Sequence, residues 1–309
     1  MTGCRGTFVR VVAVALTGAT ALLGMMSTQA ATCDTACLRQ QLDTYLSALV
    51  QRKPAQLQTT SSVRFTENGQ VLKLGEGLWT QASSLGTYQQ YFTDPVSEQA
   101  MYYGVLNEGA GPVLLSLRLG IKDGRIAEVE HIVARKGSHP LFAPEALVKP
   151  DAALSTPVSP EHRLSRERLI EIADSYMEGI QQHSSKIILA DEHCQRIENG
   201  VQTTNRPGGG SRNCAHSADL LTYIKSVDER RFPIVDQEHG IVVSTFIFNI
   251  PGDTATSDAA ISSDRQVAAR LRQPRTLLLT EWFKIDDGRI QHIEAIMHNL
   301  PPGGTSGWE

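Results

Sequence analysis

The sequence predicts an α+β protein of two tandem repeats, each an opening helix followed by a long, curved, antiparallel sheet. Three internal matches predict it. Residues 42–49 fall without a gap on residues 173–180, an offset of 131, and Asp43 and Tyr45 land on Asp174 and Tyr176. The triplet Glu67-Asn68-Gly69 returns at the same offset as Glu198-Asn199-Gly200. KDGRIAEVEHIV (122–133) matches DDGRIQHIEAIM (286–297) at an offset of 164, so a net insertion of 33 residues lies between the two turns of the second copy. Matches in one order with a single length change mark a duplication.

The chain opens with Arg5 and Arg10, an apolar run over residues 11–26 and a small-residue stretch ending in Ala30-Ala31. That order reads as a secretory signal peptide over residues 1–30, cut after Ala30. The run is shorter than the roughly 20 apolar residues of a spanning helix. The first repeat follows over residues 31–135. Leu38, Leu42, Tyr45, Leu46 and Leu49 recur at helical spacing and give its opening helix. Asn-Gly in the triplet predicts a two-residue type I′ hairpin, because both residues tolerate positive φ. Period-two alternation over residues 113–121, an Asp-Gly turn and a further alternating run give the closing strand pair.

Residues 136–163 hold five prolines and read as a semi-extended linker. The second, enlarged repeat spans residues 164–309. Its opening helix carries Leu169, Ile172, Ala173, Tyr176, Met177 and Ile180 on one stripe, and residues 276–285 repeat the penultimate strand. The insertion includes a glycine-rich loop and residues 253–275, read as an excursion with a short helix. The glycines are not followed by the Lys-Ser/Thr that a phosphate cradle needs.

Removing residues 1–30 takes the 29 basic residues to 27 against 33 acidic ones, a balance of −6. Nucleic acid binds through a basic face, so a nucleic-acid partner is not expected, nor a membrane partner once the signal is removed. Cys33, Cys37, Cys194 and Cys214 remain. An even count in an exported chain reads as two disulfides, with three possible connectivities. Joining Cys194 to Cys214 closes a loop of about 20 residues, worth roughly 3 kcal/mol if chain entropy dominates; Cys33 with Cys37 follows by elimination. Zinc is the alternative, although one CxxxC without a second pair is a weak metal signal. The sequence contains no Ser-His-Asp order, nucleophile elbow, HExxH or dinucleotide fingerprint, so neither metal nor cofactor is expected.

The inward helix tyrosine, the ENG hairpin and the DGRI strand pair resemble the nuclear transport factor 2-like superfamily, also called SnoaL-like or cystatin-like. More narrowly, RFTENG, GEGLW, IENGVQTTN, ERRFPIVDQEHG and TSGW resemble a family of secreted proteins whose domain has no assigned function. The resemblance covers both copies. It implies two cone-shaped domains, helices packed on a curved antiparallel sheet, with a pocket between them. It also implies pairing through the sheets, which a tandem chain makes internally as a pseudo-dimer. Members include ketosteroid isomerase, dehydratases, polyketide cyclases and non-catalytic binders, and a fold alone does not choose among them.

Strand faces point to the chemistry more sharply. Val113, Leu115, Leu117, Leu119 and Ile121 form an unbroken apolar face. The matching face reads Leu277, Leu279, Glu281, Phe283 and Ile285, so a carboxylate stands where Leu117 stood. A buried carboxyl must be paired or carry a raised pKa, and a raised pKa suits a general acid or base. The bland reading is a salt bridge to Arg230 or Arg231. On the last strand, His131 faces inward where the second copy has Ala295; it is a substrate-binding candidate or a satisfied core histidine. On the opposite face Glu128, Glu130, His292, Glu294 and His298 are placed to meet the other repeat. Tyr45 and Tyr176 lie on the inward helix stripe, and the resemblance makes such a tyrosine an oxyanion donor, against plain amphipathic packing. Glu198 and Asn199 adjoin the stapled loop and could line a pocket mouth, although turn chemistry alone explains the triplet. Arg230 and Arg231 are candidates for anion recognition.

These readings give a secreted or periplasmic protein that binds a small apolar or aromatic molecule in its second repeat. The expected activity is that of a cofactor-independent lyase, isomerase or dehydratase, with Glu281 as acid/base and Tyr176 as polarising donor. The alternative is a non-catalytic binder or assembly module.

Overall fold

The structure, a computed structural model, describes residues 1–3, 6, 32–206, 211–252 and 273–308. The predicted signal peptide (apart from residues 1–3 and 6) and the helix expected within 253–275 fall outside these residues.

The first repeat opens with α1 (Thr35–Gln51), whose start is set by Asp34: its side chain accepts the Cys37 N–H at 2.9 Å. Ser165 caps α2 (Arg166–Gln181) in the same way, accepting from Arg168 at 3.2 Å. A side-chain acceptor at this position satisfies an N–H that the helix cannot. The strands of the first repeat are β1 (Thr59–Glu67), β2 (Gln70–Leu72), β3 (Ala82–Asp94), β4 (Gln99–Glu108), β5 (Gly111–Lys122) and β6 (Arg125–Ala134). Those of the second are β7 (Ala190–Glu198), β8 (Val201–Gln202), β9 (Ser226–Asp236), β10 (Ile241–Ile250), β11 (Arg275–Asp286) and β12 (Arg289–Leu300). Among the described residues they form two six-stranded sheets of identical order, β2-β1-β6-β5-β4-β3 and β8-β7-β12-β11-β10-β9. The sheets are mixed rather than wholly antiparallel: β1 runs parallel to β6, and β7 to β12. The chain crosses from β2 to the far edge, and a four-strand meander then brings β6 back beside β1 in the same direction. Register shifts in β3 and β9 bend the long strands, so each sheet wraps over its helix as a cone.

The turns behave as their chemistry predicts. Asn68 and Gly69 have φ of 49° and 77°, and Asn199 and Gly200 have 47° and 84°. Glu67 pairs with Gln70, and Glu198 with Val201, so each hairpin has a two-residue loop. The asparagines do more than turn. Asn199 accepts the Met297 N–H at 2.8 Å and donates to the Met297 carbonyl at 3.0 Å, extending the parallel pairing past the end of β7. Asn68 does the same with Val133. Both disulfides are present, Cys33–Cys37 and Cys194–Cys214.

The inner sheet faces close on their helices in two separate cores. The outer faces bury a third between the repeats, with Tyr103, Leu114, Ile132, Ile234, Val243, Leu278, Trp282 and Ile296. Buried polar contacts cross this layer. The Tyr88 hydroxyl donates to Glu294 at 2.7 Å, and Arg231 pairs with Glu130 at 2.7 Å, with Arg118 on the other side of that carboxylate at 2.8 Å. Burial pushes Glu130 up, but the charges of Arg231 and Arg118 hold it below the usual carboxylate range. Arg231, expected to read a substrate, therefore joins the two sheets instead. Leu147 and Leu154 of the residue 136–163 segment are buried in the same layer, so that segment is partly core rather than spacer.

Candidate functional site

A cleft of about 1130 Å³ opens inside the cone of the second repeat. Ile180, Phe248, Ile250 and Leu277 make it apolar; Tyr176, Arg196 and Glu198 supply polar groups, and Leu141 and Phe142 come from the segment after β6. Alternation along β7 places Arg196 and Glu198 on one face, and the helix stripe aims Tyr176 at them. Arg196 Nη1 donates to the Tyr176 hydroxyl at 2.8 Å and to Ser217 Oγ at 3.0 Å. Its Nε donates to Thr203 Oγ1 at 3.0 Å and lies 3.4 Å from Glu198 Oε2. The Tyr176 ring is held edge-on against Phe283, with centroids 5.6 Å apart.

Glu281 lies beneath this lining, between Ser244 and Ala295 on the neighbouring strands, with 1% of its surface exposed. Its Oε2 has no hydrogen-bond partner among the described residues. Burial, with the charge of Glu198 adding and that of Arg196 opposing, pushes the carboxyl up to about 8. Glu281 is therefore mostly protonated at neutral pH. Burial likewise raises Tyr176 well above an ordinary phenol, although the guanidinium of Arg196 works against it.

The first repeat has the same layout, with its inward polar groups turned on one another. The Tyr45 hydroxyl lies 2.9 Å from His131 Nε2 and accepts from Trp79 Nε1 at 3.0 Å. His131 Nδ1 lies 3.6 Å from Glu67, which also accepts the Leu78 N–H at 2.7 Å and pairs with Arg135 at 3.3 Å. Burial pushes Glu67 up, but His131, the Leu78 N–H and Arg135 bring it below the usual carboxylate range. Tyr45, Trp79 and His131 are fully buried, so the first two candidates expected to meet substrate here, Tyr45 and His131, meet each other.

The remaining candidates separate. Glu198 lines the cleft. Asn199 does not: it is buried, and its side chain is taken up by the Met297 and Leu141 backbones. Arg230 is held by Asp174 at 3.0 Å and Glu178 at 3.2 Å on the flank of α2, so it neither anchors a ligand nor caps Glu281. The arginine whose charge reaches Glu281 is Arg196, which sequence reasoning missed. A signal for it was present. At the offset of 131, Arg196 replaces Phe65, the same apolar-to-charged exchange that singled out Glu281 against Leu117.

A family model described as a domain of unknown function (DUF8021) matches residues 162–297. No curated protein sequence matches the chain. Among solved structures, it is similar to a protein of unknown function with a cystatin-like fold from Methylobium petroleophilum PM1, at 13% identity, over 46% of this chain and 84% of that one, with a TM-score of 0.29. It is also similar to BvnE pinacolase from Penicillium brevicompactum, at 11% identity, over 43% of this chain and 86% of that one, with a TM-score of 0.29. A third is PrhC from Penicillium brasilianum, at 14% identity, over 43% of this chain and 81% of that one, with a TM-score of 0.27.

Proposed function

We propose that the protein binds a small, largely apolar molecule in the cleft of the second repeat and acts on it as a cofactor-independent lyase, isomerase or dehydratase. The observation that carries this reading is the buried acid Glu281, protonated at neutral pH under a floor made by Tyr176 and Arg196. The Tyr176 hydroxyl accepts from Arg196, which leaves its own proton to donate to a ligand oxygen. The adjacent guanidinium favours negative charge developing on that oxygen. An acid titrating near pH 8 can both give and take a proton under ordinary conditions. The test is a turnover screen of small carbonyl and hydroxy compounds with wild type, Glu281→Gln and Tyr176→Phe. Losses of about 100-fold or more in each variant are expected. Unchanged turnover in both overturns the catalytic reading.

One observation favours a second reading. Glu281 lies under the cleft lining rather than in it, as suits a non-catalytic binder. In that case Glu281→Gln leaves ligand affinity within twofold and no substrate turns over.

The reading includes export. The signal-peptide pattern supports it, and two disulfides fit an oxidising compartment. Among the described residues no helix is long and apolar enough to cross a membrane. N-terminal sequencing of the protein recovered outside the cytoplasm should begin at Ala31; an intact Met1 terminus there overturns the cleavage.

A further inference from the structure

The cleft of the second repeat is not walled by that repeat alone. The chain leaving β6 runs along it, and His139, Leu141 and Phe142 line the cavity. Three contacts fix this segment. Asn299 Nδ2 donates to the Ser138 carbonyl at 2.8 Å, Asn199 Nδ2 to the Leu141 carbonyl at 3.2 Å, and the Ala143 N–H to the Asn199 carbonyl at 2.9 Å. Gly200 permits the close approach, because a Cβ there would come within 2.2 Å of the Ala143 carbonyl oxygen. The position of the wall is thus built into the fold.

Within it, the Leu141 N–H donates to His139 Nδ1 at 3.1 Å. Nδ1 must present its lone pair there, so a neutral ring carries its proton on Nε2. Burial keeps the ring neutral, pushing it down to about 4; Glu198 opposes that shift, and Arg275 and His298 add to it. His139 lines the cavity, and its neutral imidazole carries one uncharged N–H donor, on Nε2.

We propose that His139, supplied by the segment joining the repeats, is a specificity-determining residue of the second repeat's cleft, its Nε2–H taking an acceptor oxygen on the ligand. This deepens the cleft reading above and rests on it. The ligand class it implies is an apolar ring system with two separated oxygens, one facing Tyr176 and Arg196 and one facing His139. A molecule with a single oxygen meets only one of the two donor sets. An N–H that a bound ligand shuts off from water without supplying an acceptor is costly, so a second oxygen is favoured.

The experiment titrates the full chain with 6-hydroxy-2-naphthoate, an apolar ring system with oxygens at its two ends, and follows its fluorescence. Variants are His139→Phe, His139→Gln and Leu221→Trp, the last filling the cleft. Loss of binding in Leu221→Trp, weakening of about 5- to 20-fold in His139→Phe and recovery in His139→Gln, whose amide nitrogen replaces Nε2, is the expected pattern. Binding lost in Leu221→Trp but equal to wild type in His139→Phe overturns this inference and leaves the cleft reading standing. Equal weakening by Phe and Gln also overturns it, since it marks a packing role alone. Binding that ignores Leu221→Trp, or no saturable binding, overturns the cleft reading and this inference together. If His139→Phe does not fold, the imidazole ¹⁵N signals of the wild type decide: Nε2 shifts on saturation, and an unmoved signal overturns the proposal.

Discussion

In the first repeat Tyr45 sits against His131 and under Trp79; in the second the matching Tyr176 sits against Arg196 beside an open cleft. Three exchanges at matched positions separate the two: Phe65 becomes Arg196, Leu117 becomes Glu281, and His131 becomes Ala295. His131 and Leu117 face each other across one rung of the first sheet, and Ala295 and Glu281 across the same rung of the second. The titratable group has moved one strand over. In the first cone an indole, a phenol and an imidazole are linked in one buried chain, with His131 Nδ1 left 3.6 Å from Glu67. In the second cone a cation lines the cavity and a neutral acid lies behind it. A common backbone therefore supports either a finished core or a site, and volume and charge at a few inward positions decide which.

The largest effect is expected at Trp79. Truncating this buried indole to alanine should cost about 4 kcal/mol of stability, the usual price of a large core cavity. It should also make the first repeat bind indole, detectable as a rise in melting temperature with added ligand. A loss under about 1 kcal/mol in urea unfolding would mean that the first cone is not sealed by this ring.

Arg196→Met tests the second floor. It leaves Glu198 and the Tyr176 hydroxyl without their cation, and an unmatched, largely buried group costs about 3 kcal/mol. Phe65→Met, the matched change in the first repeat, should cost only about 1 kcal/mol. Equal urea midpoints for the two variants would show that Arg196 holds no more than the apolar ring it replaces.

Glu281 sets a dependence on pH. Its folded pKa of about 8 lies above the ordinary carboxyl value, so the folded state holds a proton that the unfolded state has lost. Stability from this group is present below the unfolded pKa and is lost as pH rises through about 8. Wild type should lose up to about 3 kcal/mol between pH 5 and pH 8 relative to Glu281→Gln. Parallel stability profiles for the two proteins would show that the carboxyl is already ionised at neutral pH.

The smallest effect concerns what the repeats share. Asn68→Ala and Asn199→Ala each remove a left-handed turn residue and the amide that extends a parallel strand pair. Each should cost about 2 kcal/mol. Unequal costs, read from melting temperatures, would show that the duplicated turn no longer does the same job twice.

Much of this was legible in the sequence because it is local. Positive φ at Asn-Gly, a capping Asp34 or Ser165, and period-two alternation are properties of short segments, and a duplication states each of them twice. The inward placement of Glu281 followed from the same alternation. The partners of Arg230 and Arg231 did not follow, because each reaches a different element, the flank of α2 and the facing sheet. The mixed sheet was missed because the crossover from β2 to β3 leaves no periodic trace. Arg196 is legible in the repeat alignment, where it stands at the position of Phe65.

What the sequence determined by itself is the doubled α+β scaffold, its turns, and the one acid aimed into a hydrocarbon face. Backbone preference and side-chain period act over a few residues and so leave their mark in the chain. The tertiary structure alone decided which arginine's charge reaches that acid, which partners the inward tyrosines take, and that the segment after β6 walls the other repeat. Those outcomes depend on distances between segments far apart in the chain, and no local periodicity encodes them.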